Sequence, residues 1–77
     1  MSTMGIFGFG SDTYSKDYLM KLGKRWGINA EAGHLIEKGI PVQISGDGKY
    51  TYDLSVDIER LESEREKLTR SIQKHLR

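Results

Sequence analysis

Three basic residues that lie within five positions of one another, Lys21, Lys24 and Arg25, form the densest group of positive charge in residues 1 to 54. Lysine and arginine side chains neutralise phosphates, which is the main source of affinity for nucleic acid. A further base, Lys49, directly follows the turn signal Gly46-Asp47-Gly48. We predict that these four side chains contact the backbone of double-stranded DNA. The alternative for the first three is an ordinary solvated helix face.

A second group of polar side chains follows the basic group and suits the edges of bases. A glutamate can accept a hydrogen bond from N4 of cytosine, and a histidine can donate one to guanine. The predicted DNA contacts therefore also include Asn29, Glu31, His34 and Lys38. Of these, Glu31, His34 and Lys38 are placed to face the major groove. The alternative is a surface position for Glu31 and a half-buried packing position for His34.

The chain offers little for catalysis or metal binding. It has no cysteine and two histidines, and one of these, His75, lies near the end of the sequence. A nucleophilic site needs a serine or threonine with a positioned base and an orienting group. We therefore expect no enzyme activity, no cofactor, no metal and no small-molecule substrate.

Length and composition set further limits. A chain of 77 residues forms one small domain with a thin core, so part of its stability is expected to come from association. The net charge of +1 does not by itself indicate nucleic acid. No apolar run approaches the roughly 20 residues of a membrane span, and the start lacks the features of a signal peptide. We expect a cytoplasmic protein with no membrane partner.

Two helices precede a hairpin in the predicted order of elements. Ser15 is a candidate N-cap for a helix that Gly27 ends, with apolar residues at spacings of three and four. Asn29 is a candidate N-cap for a second helix over residues 30 to 38, and Gly39 is its stop. Two helices joined by a short turn that starts with glycine form a helix-turn-helix arrangement.

The stretch from Val42 to Leu54 alternates apolar and polar residues on both sides of Gly46-Asp47-Gly48. Asp-Gly supplies the positive φ angles of a tight turn, so a β-hairpin is predicted there. A hairpin that follows a helix-turn-helix is a wing. Tyr50 and Tyr52 are expected to pack this wing on the helices, and Trp26 is expected in the core.

The ends of the chain differ in character. Residues 1 to 14 are predicted to form a flexible, glycine-rich arm, residues 15 to 54 the winged domain, and residues 55 to 77 a long helix capped by Ser55. Apolar residues at alternating steps of four and three give this last helix a heptad stripe interrupted by polar residues. We therefore predict a homodimeric coiled coil formed by Leu54, Ile58, Leu61, Arg65, Leu68 and Ile72.

The stretch LGKRWGINAEAGHLIEKGIPVQISGDGKYTYDLSVDIERL resembles the small winged helix-turn-helix domains of phage excisionases, mercury-resistance-type regulators and, most of all, lambda-like terminase small subunits. The segment from Leu22 to Asn29 corresponds to the start of the turn in these families. Gly39 to Val42, the glycine-rich wing and the Tyr52-Asp53-Leu54 step follow in the order found in the terminase proteins. The resemblance covers about residues 19 to 68.

The resemblance implies an α+β fold, a small winged helix-turn-helix with a long C-terminal dimerisation helix. It also implies sequence-specific binding of double-stranded DNA by a homodimer that recognises a viral packaging site and positions a large catalytic terminase subunit. An excisionase-like architectural DNA binder or a transcription regulator is one alternative. The other is a protein-binding phage module such as a head-completion protein.

Overall fold

The computed structural model describes residues 13–75 as a small α+β domain of three α-helices and one two-stranded antiparallel hairpin. The predicted arm over residues 1 to 14 falls almost entirely outside the described residues. Among the described residues, none of the helices combines the length and the apolar character that crossing a membrane requires.

The first helix, α1, spans Lys16–Trp26 and has the predicted ends. The Ser15 hydroxyl accepts a hydrogen bond from the Tyr18 backbone N–H at 3.1 Å, which satisfies one of the unpaired donors of the first turn. Gly27 ends the helix with a φ of 59°, a conformation that favours glycine.

The second helix, α2, spans Ala30–Glu37 and follows a single 3-10 turn, Gly27–Asn29. Gly39 stops it with a φ of 83°, as predicted. Asn29 is the N-cap residue of α2, as predicted, but its side chain makes no capping hydrogen bond. The Asn29 amide oxygen accepts a hydrogen bond from the hairpin instead.

The hairpin pairs β1, Gln43–Gly46, with β2, Lys49–Thr51, and places Ile44 opposite Tyr50. Asp47 and Gly48 have φ angles of 52° and 83°. Positive φ at both central residues matches the right-handed twist of the strands, which explains the Asp-Gly pair. The hairpin prediction is confirmed.

The third helix, α3, spans Ile58–His75 and begins three residues later than predicted. Ser55 does not cap it, because its backbone N–H and hydroxyl both donate to the Asp53 carboxylate in a local turn. Asp57 makes the capping contact instead and accepts from the Arg60 backbone N–H at 3.2 Å.

The core brings α2, the hairpin and α3 together. It consists of buried apolar side chains against which Tyr50 packs: Ala32, Leu35, Ile40, Val42, Val56 and Leu61. Tyr50 therefore holds the hairpin to the helices, as the sequence predicted, whereas Tyr52, for which the same packing was predicted, is exposed. Trp26 is half-buried at the edge, where its ring lies over Gly33.

The residues of the predicted dimer stripe lie partly in the core of the domain and partly on its surface. Leu61 and Leu68 are buried inside the domain, so they do not line a seam for a second helix. Leu54 lies before the helix and is fully exposed, while Ile58 and Ile72 are exposed on α3. The inward stripe instead includes Glu64, Ser71 and His75, at alternating steps of three and four from Leu61 and Leu68.

Two glycine positions in the helices allow a direct test of the packing of α2. A Cβ at Gly33 would overlap the indole ring of Trp26, whereas a Cβ at Gly23 of α1 would meet nothing within 4 Å. We expect Gly33→Ala to lower the free energy of unfolding by about 1–3 kcal/mol through overpacking. Gly23→Ala should raise it by about 0.4–1 kcal/mol, because alanine favours the helix and restricts the unfolded chain.

Urea unfolding followed by the fluorescence of Trp26 measures both variants. Gly23→Ala is the matched control, since it makes the same substitution at an open position. A Gly33→Ala variant that is as stable as the original protein, or more stable, would contradict the close approach of Trp26 to Gly33.

Candidate nucleic-acid interface

The hairpin turn is held beside the turn that precedes α2. The Gly48 backbone N–H donates to the Asn29 side-chain oxygen at 3.0 Å. A Cβ at Gly48 would lie 3.0 Å from the carbonyl oxygen of Ile28, so only glycine allows this approach without displacement. The hairpin turn and the turn before α2 therefore form one continuous surface.

Glu31 links three elements behind this surface. One of its carboxylate oxygens accepts from the Tyr50 hydroxyl of β2 and, at 2.9 Å, from Nε of Arg65 on α3. Burial, followed by the contact with Glu31, raises the pKa of Tyr50, so its hydroxyl keeps the proton that it donates. These contacts fix the hairpin against α2 and α3.

An open groove of about 440 Å³ lies between the hairpin and the helices. Its lining combines the basic side chains of Lys49 and Arg65 with two tyrosines, Tyr50 and Tyr52, and is completed by Glu31 and Gly48. Lys49 and Tyr52 are exposed, whereas Arg65 is turned towards Glu31.

The basic group of α1 is exposed. Lys21 lies 3.9 Å from the Asp17 carboxylate, and Arg25 lies 3.6 Å from that of Glu37. Exposed ion pairs of this kind contribute at most about 1 kcal/mol, so phosphate can compete for these side chains. With Lys24, they place three accessible positive charges on α1, and Lys24 and Arg25 occupy its last turn.

The remaining predicted DNA contacts are engaged inside the protein. Asn29 and Glu31 hold the hairpin, as described above. His34 has no exposed surface, so the prediction that it faces the major groove is corrected. Lys38 is half-buried, with its ammonium group 5.0 Å from the centre of the Tyr14 ring, a cation–π contact.

His34 belongs to a hydrogen-bonded chain of polar residues within the helices. Its Nδ1 lies 2.7 Å from the Tyr18 hydroxyl, and its Nε2 lies 2.9 Å from the Glu64 carboxylate. The Tyr14 hydroxyl donates to the same Glu64 oxygen at 2.6 Å. The pattern assigns the neutral tautomer in which Tyr18 donates to Nδ1 and Nε2–H donates to Glu64.

The ionisation of these groups follows from their surroundings. Burial lowers the pKa of His34 and outweighs its contact with Glu64, so the ring is neutral. Burial by itself would raise the pKa of Glu64, but hydrogen bonds from Tyr14 and His34 bring it below the ordinary value. Burial also raises the pKa of Tyr18.

The order Tyr18–His34–Glu64 is that of a nucleophile, a base and an orienting group. Its environment suits structure rather than reaction, since the tyrosine is held in its protonated form and the imidazole is enclosed. In residues 13–75, no group of three or more histidine, cysteine or acidic residues is arranged to hold a metal ion.

The sequence analysis did not predict that Tyr14, Tyr18, Glu64 and Ser71 form a hydrogen-bonded cluster with His34. Ser71 is buried, where its hydroxyl accepts from the Tyr14 backbone N–H at 2.6 Å and donates to the Lys67 carbonyl at 2.7 Å. The available signal was the step of seven between Glu64 and Ser71, interleaved with Leu61 and Leu68. A helix face that mixes leucines with polar residues is hard to recognise as buried. A polar residue in the core can be identified only from the residues that hydrogen-bond to it, and these are distant in the sequence.

No known protein family, curated protein or solved structure significantly matches this chain.

The buried imidazole predicts that acid destabilises the protein. Because the pKa of folded His34 lies below the unfolded value of 6.5, its contribution is complete above that value. Below it, the unfolded chain binds a proton that the folded chain does not, so stability falls with a limiting slope of about 1.4 kcal/mol per pH unit. His34→Gln should flatten this decline between pH 7.5 and 5.

Urea titrations across this range measure the slopes. The range lies above 4.5, the ordinary pKa of glutamate, so the contribution of Glu64 is separated from that of His34. His34→Gln should also be less stable at pH 7.5, because it leaves Tyr18 and Glu64 without their partner. An unchanged slope in His34→Gln would assign the decline to other groups.

The contact between Asn29 and Gly48 predicts a local change in the hairpin. Asn29→Ala removes the acceptor, so hydrogen exchange at the Gly48 amide should become about tenfold faster, the change expected when a hydrogen bond worth about 1.4 kcal/mol is lost. Asn29→Asp keeps an oxygen in place and should keep most of the protection. Equal exchange in all three proteins, measured by NMR, would show that the turn is held by other contacts.

Proposed function

We propose that the protein binds double-stranded DNA with the basic end of α1 and the turn of the hairpin, as a winged helix-turn-helix domain does. The observation that carries the proposal is the hydrogen bond from Gly48 to Asn29. It sets the wing beside the turn between α1 and α2. Exposed bases lie next to this contact: Lys24 and Arg25 in the last turn of α1, and Lys49 on the wing.

Phosphate contacts supply most of the affinity in this proposal. Four exposed bases, Lys21, Lys24, Arg25 and Lys49, are available on α1 and the wing. Neutralising three or four phosphates gives a logarithmic salt dependence with a slope of about −3 to −4. The small number of contacts suits micromolar rather than nanomolar binding at physiological salt.

The structure of α2 changes the part that this helix plays. Ala32, Gly33, His34 and Leu35 are buried, and Glu31 is bonded to Tyr50 and Arg65. We therefore assign α2 to positioning the wing, and base contacts to the wing and the turn before α2. Discrimination between sequences then depends largely on the shape and deformability of the duplex.

Within this class, the resemblance to terminase small subunits favours recognition of a packaging site over excisionase-like architectural binding. The chain would then bind DNA as a homodimer and position a large subunit that carries the catalysis. The contact between the two copies is assigned to Leu54, four residues before α3, and to Ile58 at its start, since both are exposed. Leu61 and Leu68 are no longer part of it.

Binding to another protein is the second candidate function. It is favoured by a specific observation: three large apolar side chains are exposed, Ile28 in the turn before α2, Leu54 in the segment before α3, and Ile58 at the start of α3. A folded protein that binds no duplex DNA at low salt would favour this candidate.

Lys49→Ala tests the wing directly. We expect affinity for a random duplex to fall about threefold to tenfold and the slope of the salt titration to decrease by about one, as the loss of one phosphate contact predicts. The matched control is Lys74→Ala near the end of α3, about 13 Å along the helix from Arg65. It removes the same charge and should change affinity little.

Fluorescence anisotropy at several salt concentrations measures both variants, and sedimentation in the same buffers gives the oligomeric state. An equal loss of affinity in both variants would point to general charge attraction. Unchanged affinity and slope in Lys49→Ala would remove the wing from the mechanism.

A further inference from the structure

The groove of about 440 Å³ between the hairpin and the helices has an aromatic wall that phosphate contacts do not use. Tyr50 and Tyr52 line it two positions apart, so they lie on the same face of the extended chain. The Tyr50 hydroxyl is held by Glu31, whereas Tyr52 is 41% exposed. The volume of the groove lies within the range of about 300–1,000 Å³ that is typical of sites for small molecules.

The charges that line the groove have separate roles. Arg65 Nε lies 2.9 Å from the Glu31 carboxylate, and Arg65 Nη1 lies 3.7 Å from that of Glu62, so the guanidinium group offsets these two negative charges. Lys49 is exposed and can bind a phosphate. Because Lys49 also belongs to the proposed DNA contact, the groove lies beside the duplex in that complex.

Glu31 gives the groove a hydrogen-bond acceptor. Its contacts with Tyr50 and Arg65 both end at Oε2. An ionised carboxylate has about four acceptor positions on its two oxygens, so Oε1 can accept a further hydrogen bond. The amino group of cytosine is a donor that suits a glutamate.

We propose that this groove binds one unpaired nucleotide of DNA, with its base stacked on Tyr52 and its phosphate at Lys49. Every base has a face that can stack on an aromatic side chain, and a base without a partner costs least to move out of the duplex. The inference rests on the proposed function, because it uses the position of the wing on a duplex. It identifies the preferred substrate as a duplex that carries an unpaired nucleotide beside the wing.

Three short duplexes of the same sequence test the proposal. The first is fully paired, the second carries one unpaired cytosine at its centre, and the third carries an abasic nucleotide at that position. The abasic duplex keeps the extra phosphate and the interruption of the helix but lacks the base. Fluorescence anisotropy should show about tenfold tighter binding of the cytosine duplex than of the abasic duplex, the effect expected of one stacked base.

Variants at position 52 assign the effect to the tyrosine ring. Tyr52→Ala should bind the cytosine and abasic duplexes equally, whereas Tyr52→Phe keeps the ring and should keep most of the difference. Circular dichroism checks that both variants are folded. A preference for cytosine that persists in Tyr52→Ala would overturn the proposal.

The fully paired duplex separates this proposal from the proposed function. If the original protein binds all three duplexes with the same affinity, the groove has no role and the proposed DNA contact stands. If the protein binds none of them at low salt, both proposals are wrong. Binding of the cytosine duplex alone would support the groove and overturn the contact with paired DNA.

Discussion

An eight-residue helix is too short to be stable in water by itself, and α2 persists because its neighbours bury four consecutive residues, Ala32 to Leu35. Three contacts cover three parts of the helix. Trp26 lies over Gly33, Tyr18 and Glu64 enclose His34, and Tyr50 and Arg65 bind Glu31. The two other helices pack against this helix, and β2 is hydrogen-bonded to it through Tyr50.

The enclosed polar groups are tolerated because they are paired. His34 has a partner at each ring nitrogen, and the Glu64 carboxylate accepts two hydrogen bonds. An unpaired buried polar group would cost about 1–3 kcal/mol, a large fraction of the stability of a domain this small. The network therefore restricts which arrangements of the three helices are allowed, since a rotation of α3 would break several of these bonds together.

Much of the fold was predictable from local chemistry. Ser15, Gly27 and Gly39 mark helix ends whose backbone requirements are strict, and Asp47-Gly48 specifies a hairpin turn. These signals depend on φ angles and single hydrogen bonds within a few residues, so they can be read without knowing the tertiary structure.

The long-range contacts were not predictable in the same way. Ser55 looks like a cap, but Asp53 takes its hydrogen bonds and moves the start of α3 to Ile58. The predicted stripe of α3 shares Leu61 and Leu68 with the inward face but includes Arg65 and Ile72, each one position after an inward-facing residue. Those inward-facing residues, Glu64 and Ser71, are polar, so the apolar pattern did not include them. Asn29 and His34 have side chains that suit DNA as well as a protein interior, and only their partners decide between the two.

An isolated two-stranded hairpin is at best marginally stable, so a wing must be held by the domain beneath it. Here, Asn29 and Glu31 provide that hold, and in doing so they use the polar groups that a recognition helix would offer to bases. In the proposed complex, the rigid wing and the end of α1 therefore contribute mainly phosphate contacts. Such contacts orient a protein on the duplex without reading its sequence, so in this proposal specificity depends largely on DNA shape and on the separate partner that the protein positions.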